Sequence, residues 1–81
     1  MKSLNFPEIQ DAMILKRDLV VKLVDGRSVI YPVSLFPELR KVPVGARKKP
    51  TIGGIDMIDR FSFKGRPEVY QIDETLHLNK I

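Results

Sequence analysis

The sequence predicts an α+β fold: a small antiparallel sheet of about five short strands in meander order, with one short helix after the third strand. Three observations predict it. Asp25-Gly26 sits between two alternating apolar runs, Asp18–Val24 and Arg27–Val33, which is a strong short-range hairpin signal. After Val33 the apolar period changes, with Leu35, Phe36 and Leu39 at helical spacing. Further short runs with β character flank turn-forming Gly, Pro and Asp residues through to the C-terminus.

Taken as a two-residue type I′ turn, Asp25-Gly26 sets Leu23 opposite Ser28, Val21 opposite Ile30 and Leu19 opposite Pro32. Leu19, Val21, Leu23 and Ile30 then share the predicted core face. Val20, Lys22, Val24, Arg27, Val29 and Tyr31 share the other. Pro32 would lack its N–H on the side away from the partner strand, which marks an edge. Ile9–Leu15 alternates as a preceding strand, joined through Lys16-Arg17, and residues 1–8 form a lead-in. Ser34 is the expected N-cap of the short helix, Pro37 fits its first turn, and Pro43 ends it. Residues 42–54 read as a long basic Pro/Gly loop. Ile55–Phe63 and Glu68–Ile72 read as a second hairpin around Lys64-Gly65-Arg66-Pro67, and Thr75–Leu78 as a last short strand.

The chain has 81 residues, 43% of them hydrophobic and 30% charged, which suits one small folded domain over residues 1–81. It contains no cysteine, so neither disulfides nor thiolate chemistry is available. No apolar run approaches a membrane span, and the opening residues lack the apolar stretch of a signal peptide. These features point to a soluble, cytoplasmic protein. The formal charge of +4 is concentrated: residues 39–55 hold Arg40, Lys41, Arg47, Lys48 and Lys49 and no acid, while the remainder carries 9 basic against 10 acidic groups.

The residues so assembled resemble a bacterial family known as domain of unknown function 2442. The resemblance rests on Leu19, Val21, Leu23, Asp25 and Gly26, then Phe36-Pro37-Glu38-Leu39, Arg47, Tyr70 and Asp73-Glu74. It covers about 60 residues in order. Glu38 stands where the family usually has Arg, and the stretch from Arg47 to Asp73 is longer than usual. The resemblance implies a small α+β fold with an antiparallel sheet, no catalytic residues, and a partner protein in a toxin–antitoxin-like pair.

Chemistry-bearing residues are sparse. His77, the only histidine, lies between two leucines and has no convergent partner in the pattern, so it reads as an ordinary exposed side chain. Asp73-Glu74 reads as turn chemistry, because adjacent strand residues point apart. Asp56 and Asp59 follow Gly53-Gly54, but neither a phosphate-loop lysine nor a calcium-loop pattern accompanies them. Phe61 and Phe63 are two apart and read as core rather than a base-stacking platform. No metal, cofactor or catalytic set is expected, and the chain does not read as an enzyme. The expected function is a non-catalytic binding module for another small protein. The alternative is an accessory domain making weak, salt-sensitive nucleic-acid contacts through residues 40–49. The candidate surface is Arg40, Lys41, Arg47, Lys48 and Lys49, together with Val24, Val29 and Tyr31 beside the open strand edge. If neither the N-terminal nor the final strand covers that edge, it is expected to support a homodimer or a partner docked by strand addition; the alternative is that another strand of the chain fills it.

Overall fold

The structure, a computed structural model, describes residues 8–53 and 59–81. Among these, seven strands form two antiparallel sheets. β1 (Ile9–Leu15), β2 (Asp18–Leu23) and β3 (Ser28–Pro32) make the first, in the order β1-β2-β3. β4 (Pro50–Ile52), β5 (Arg60–Phe63), β6 (Val69–Ile72) and β7 (Leu78–Lys80) make the second, again in chain order. The meander connectivity is therefore as expected, but the described fold is sheet-rich, with more strands than predicted and no α-helix. The lead-in before Glu8 and most of the Ile55–Phe63 run ahead of β5 lie outside the described residues.

Two 3-10 turns, Val33–Leu35 and Pro37–Lys41, stand where one short helix was expected, and a third, Val44–Ala46, lies in the expected loop. The prolines explain this. Each forces the residue before it out of the α region, and Phe36 (φ −136°, ψ 86°) and Val42 (φ −67°, ψ 128°) are both extended. The five residues between them are too few for an α-helical nucleus, so the tighter turn forms instead. Ser34 is not an N-cap: it lies inside the first 3-10 turn, and no side chain caps that turn. Leu39 is buried, whereas Leu35 is 54% exposed.

The first hairpin has a different register from the one predicted. Lys22 pairs with Ser28, Val21 with Val29, Val20 with Ile30 and Leu19 with Tyr31. The loop holds three residues, Val24-Asp25-Gly26, closed by Leu23 N–H to Arg27 O at 2.8 Å and Gly26 N–H to Leu23 O at 3.0 Å. Gly26 has φ +97° while Asp25 does not enter the left-handed region, so this is a turn followed by a glycine bulge rather than a type I′ turn. Asp25 supports it by accepting the Arg27 backbone N–H at 3.0 Å.

One extra loop residue turns every β3 side chain to the opposite face. Tyr31 is 8% exposed and in the core, Val29 packs against the core, and Ile30 is 62% exposed. Leu19, Val21 and Leu23 face the core as predicted; Ile30 does not. Pro32 still lies in a non-hydrogen-bonded position, opposite Asp18. Its missing donor therefore faces away from β2, on the outer edge of the sheet.

A register break between Ile9 and Asp11 lets Ile9 join Ala12 and Ile14 on the buried side of β1. One apolar cluster draws on both sheets: Ile9, Ile14, Leu19, Val21, Leu23 and Tyr31 from the first, Phe61, Phe63, Tyr70 and Ile72 from the second. The 3-10 turns add Val33, Leu39, Val42 and Ala46. Phe61 and Phe63 are core, as expected, and meet edge to face with ring centroids 5.8 Å apart.

Two substitutions on β3 separate the registers. Val29→Lys buries a charge beside the core and is expected to cost about 1–3 kcal/mol, while Ile30→Lys should stay within about 0.5 kcal/mol of the parent. Gly26→Val, forced to positive φ, should also cost about 1–3 kcal/mol. Urea unfolding checks all three, and a larger loss for Ile30→Lys than for Val29→Lys would restore the two-residue turn.

Candidate functional site

The basic segment is a short, tied structure rather than a free loop. Val44–Ala46 forms a 3-10 turn between Pro43 and Arg47, and Pro50–Ile52 pairs with β5 as β4. Three contacts fix it. Ile14 N–H donates to Arg47 O at 2.8 Å, seating the segment on the free edge of β1. Arg47 Nε donates to Val42 O at 3.0 Å and Nη2 to Arg40 O at 3.3 Å, so its guanidinium clips the preceding turn. Gly65 in the β5–β6 turn (φ +94°) lies so close to Pro43 that an added Cβ would meet the proline ring at 2.9 Å. No larger residue fits there without displacement.

Seated in this way, the segment forms one wall of an open cleft of about 670 Å³. Val44, Gly45, Arg47, Lys48 and Lys49 face Ile14, Leu15 and Lys16 at the end of β1. Lys16 was not singled out in the sequence. It belongs to the β1–β2 turn, where its φ of +47° is a left-handed conformation unusual for lysine. Only the crossing of Arg47 over Ile14 brings it beside the basic segment. The exposed large apolar residues of its lining are Leu15, 39% exposed, and Val44, 79% exposed. Among the described residues, no acidic side chain lines it.

Arg27, Arg60, Arg66 and Lys80 each pair with a carboxylate, on Asp25, Asp59, Glu68 and Glu38 respectively. No such pair is made by Lys16, Arg47, Lys48 or Lys49 among the described residues. Arg40 and Lys41 are exposed on the second 3-10 turn and do not line the cleft. The five predicted cations thus divide: Arg47, Lys48 and Lys49 converge on the cleft, while Arg40 and Lys41 stand apart.

The other half of the predicted surface does not hold together. Tyr31 is buried, and its hydroxyl donates to Leu76 O at 2.7 Å. Burial, with a smaller contribution from the Asp73 carboxylate, pushes its pKa up to about 12. Val29 is half-buried against the core, and Val24, 58% exposed, is left alone on the loop. The exposed apolar residue on β3 is Ile30.

The conspicuous polar clusters serve structure. Phe36 packs edge to face on Tyr70 at 5.2 Å, and the Tyr70 hydroxyl donates to Glu38 Oε2 at 2.8 Å. Burial, then the Glu38 hydrogen bond, raises the Tyr70 pKa. For Glu38 burial acts upward, but the Tyr70 hydroxyl and Lys80 outweigh it and lower the carboxyl. Asp73 closes the β6–β7 turn. Its Oδ1 accepts Thr75 Oγ1 at 2.6 Å, Thr75 N–H at 2.9 Å and His77 N–H at 3.0 Å. His77 is exposed, with Nδ1 2.9 Å from Thr75 Oγ1. Asp59 accepts Gln71 Nε2 at 2.7 Å and pairs with Arg60, while Asp56 lies outside the described residues. Among the described residues no three His, Asp or Glu groups are placed to hold a metal ion, and no helix is long and apolar enough to cross a membrane.

Comparison with known protein families, with curated proteins and with solved structures returned no match.

Hydrogen bonds from Thr75 and His77 pull the Asp73 carboxyl down to about 2 from an ordinary 3.8. A depressed folded-state pKa contributes stability above the unfolded value, and that contribution disappears as pH falls through the folded one. The urea midpoint should therefore drop between about pH 4 and pH 2, and Asp73→Ala should remove that part of the slope. An identical acid profile in the variant would show that this turn does not carry the effect.

Proposed function

We propose that the chain is a non-catalytic binding module that docks another small protein, as one member of a partner pair, through the cationic cleft. The observation that carries the reading is the convergence of Lys16, Lys48 and Lys49 on a cleft that, among the described residues, is lined by no acid, while four other cations have carboxylate partners. Like charges repel when gathered, and a partner bearing carboxylates relieves that repulsion. Arg40 and Lys41 extend the positive field beyond the cleft and steer an acidic partner towards it.

Nucleic acid is the competing occupant, since phosphates would meet the same lysines. Two features favour protein. Among the described residues, no aromatic side chain lines the cleft to stack on bases. The 3-10 turns are also too short to enter a groove as a recognition helix.

Charge reversal tests the reading. Lys16→Glu, Lys48→Glu and Lys49→Glu together should leave the thermal unfolding midpoint nearly unchanged, because all three side chains are exposed. The variant should fail to retain a stoichiometric protein partner that wild type retains from its host. Wild type should bind neither DNA nor RNA measurably at about 0.15 M salt. Oligonucleotide binding there, with a log–log salt slope of roughly −0.7 to −0.9 per phosphate contact, would select nucleic acid instead. A partner held equally well by the variant would exclude the cleft.

A further inference from the structure

Resting on that reading, we infer that the cleft takes an acidic peptide segment in which one apolar side chain is flanked by carboxylates. Charge accounts for the flanks. Lys16, Lys48 and Lys49 are flexible point charges that can follow carboxylates in several geometries. Arg47 is fixed as part of the wall, with two N–H groups engaged by the Val42 and Arg40 carbonyls.

The apolar centre follows from Leu15 and Val44. Both are exposed, and both lie in the cleft among the cations. A purely anionic ligand would satisfy the lysines and leave this surface in water. A ligand with an aliphatic or aromatic side chain at the centre removes it from water while its neighbours meet the lysines. The volume of about 670 Å³ is within the usual range for a small-ligand site, which suits one large side chain with adjoining backbone. Gly45 supplies a steric probe, because its φ lies outside the left-handed range and a Cβ there meets nothing within 4 Å. Because Gly45 lines the cleft, a larger residue there can be accommodated by the fold and is expected to narrow the cleft.

The experiment measures fluorescence anisotropy of two labelled peptides at about 0.15 M salt. In one, Leu is flanked on each side by Asp and Glu; in the other, Gly replaces that Leu. The Leu peptide is expected to bind about tenfold more tightly. Gly45→Leu should abolish this preference, and Lys48→Gln with Lys49→Gln should weaken both peptides. Circular dichroism melting establishes that each variant is folded. Equal affinity of the two peptides for wild type would overturn the apolar centre while leaving a cationic docking surface. Failure of both peptides to bind at millimolar concentration would overturn this inference. Retention of a partner insensitive to the Glu triple variant would separately overturn the docking reading. A Leu preference that survives Gly45→Leu would place the apolar contact outside the cleft and also overturn the inference.

Discussion

The Tyr31 hydroxyl reaches the Leu76 carbonyl at 2.7 Å because the loop between Leu23 and Arg27 contains three residues. With two, β3 would turn its other face inward and Ile30 would take the tyrosine's place. This hydrogen bond spans 45 positions and ties the first sheet to the β6–β7 turn of the second. Its partner is held in an unusual way: Leu76 has φ +66°. The turn repeats the arrangement of the first loop, with Leu76 N–H donating to Asp73 O and Asp73 N–H to His77 O. In the first loop glycine takes the left-handed position without strain. In the second, leucine occupies it, packing its side chain against the core and presenting its carbonyl to Tyr31.

The same coupling between sheets positions the basic segment. β1 receives Arg47 O on its free edge, while the β5–β6 turn approaches Pro43 closely through Gly65. The segment is thus held from the first sheet on one side and from the second on the other. Its own arginine completes the clip by satisfying carbonyls that the short 3-10 turn leaves unpaired. A run of charge that would have been a solvated loop becomes one wall of a cleft, and the β1–β2 turn supplies the facing cation.

How much of this was legible depended on the range of the interaction involved. Strands β1 and β2, the Phe61–Phe63 core pair and the Lys64-Gly65 turn follow from local alternation and turn chemistry, and all are present. The register of β3 does not, because Asp-Gly serves both a two-residue turn and a three-residue loop with a glycine bulge. What decides between them is burial of Val29, Tyr31 and Val33 against distant elements. The helix was a misreading of local information: Pro37 and Pro43 leave only five residues between extended positions. In the cleft, Arg47, Lys48 and Lys49 stood out as an acid-free run, but Lys16 could not be joined to them without the Ile14–Arg47 crossing.

The fold's need for these cations is unequal. Arg47 bonds two backbone carbonyls, so replacing it removes structure as well as charge. Lys16, Lys48 and Lys49 are exposed and, among the described residues, make no side-chain hydrogen bond or ion pair. Their mutual repulsion is softened at physiological salt, where the screening length is about 8 Å, but it is not turned into attraction. The packing of the two sheets therefore gives no reason for three lysines to meet at one cleft. An acidic ligand of the kind proposed would, because each carboxylate it brings reduces the repulsion among charges already gathered there. That asymmetry lets charge be altered at the cleft without disturbing the bonds that build it, and so lets the proposed binding be tested separately from folding.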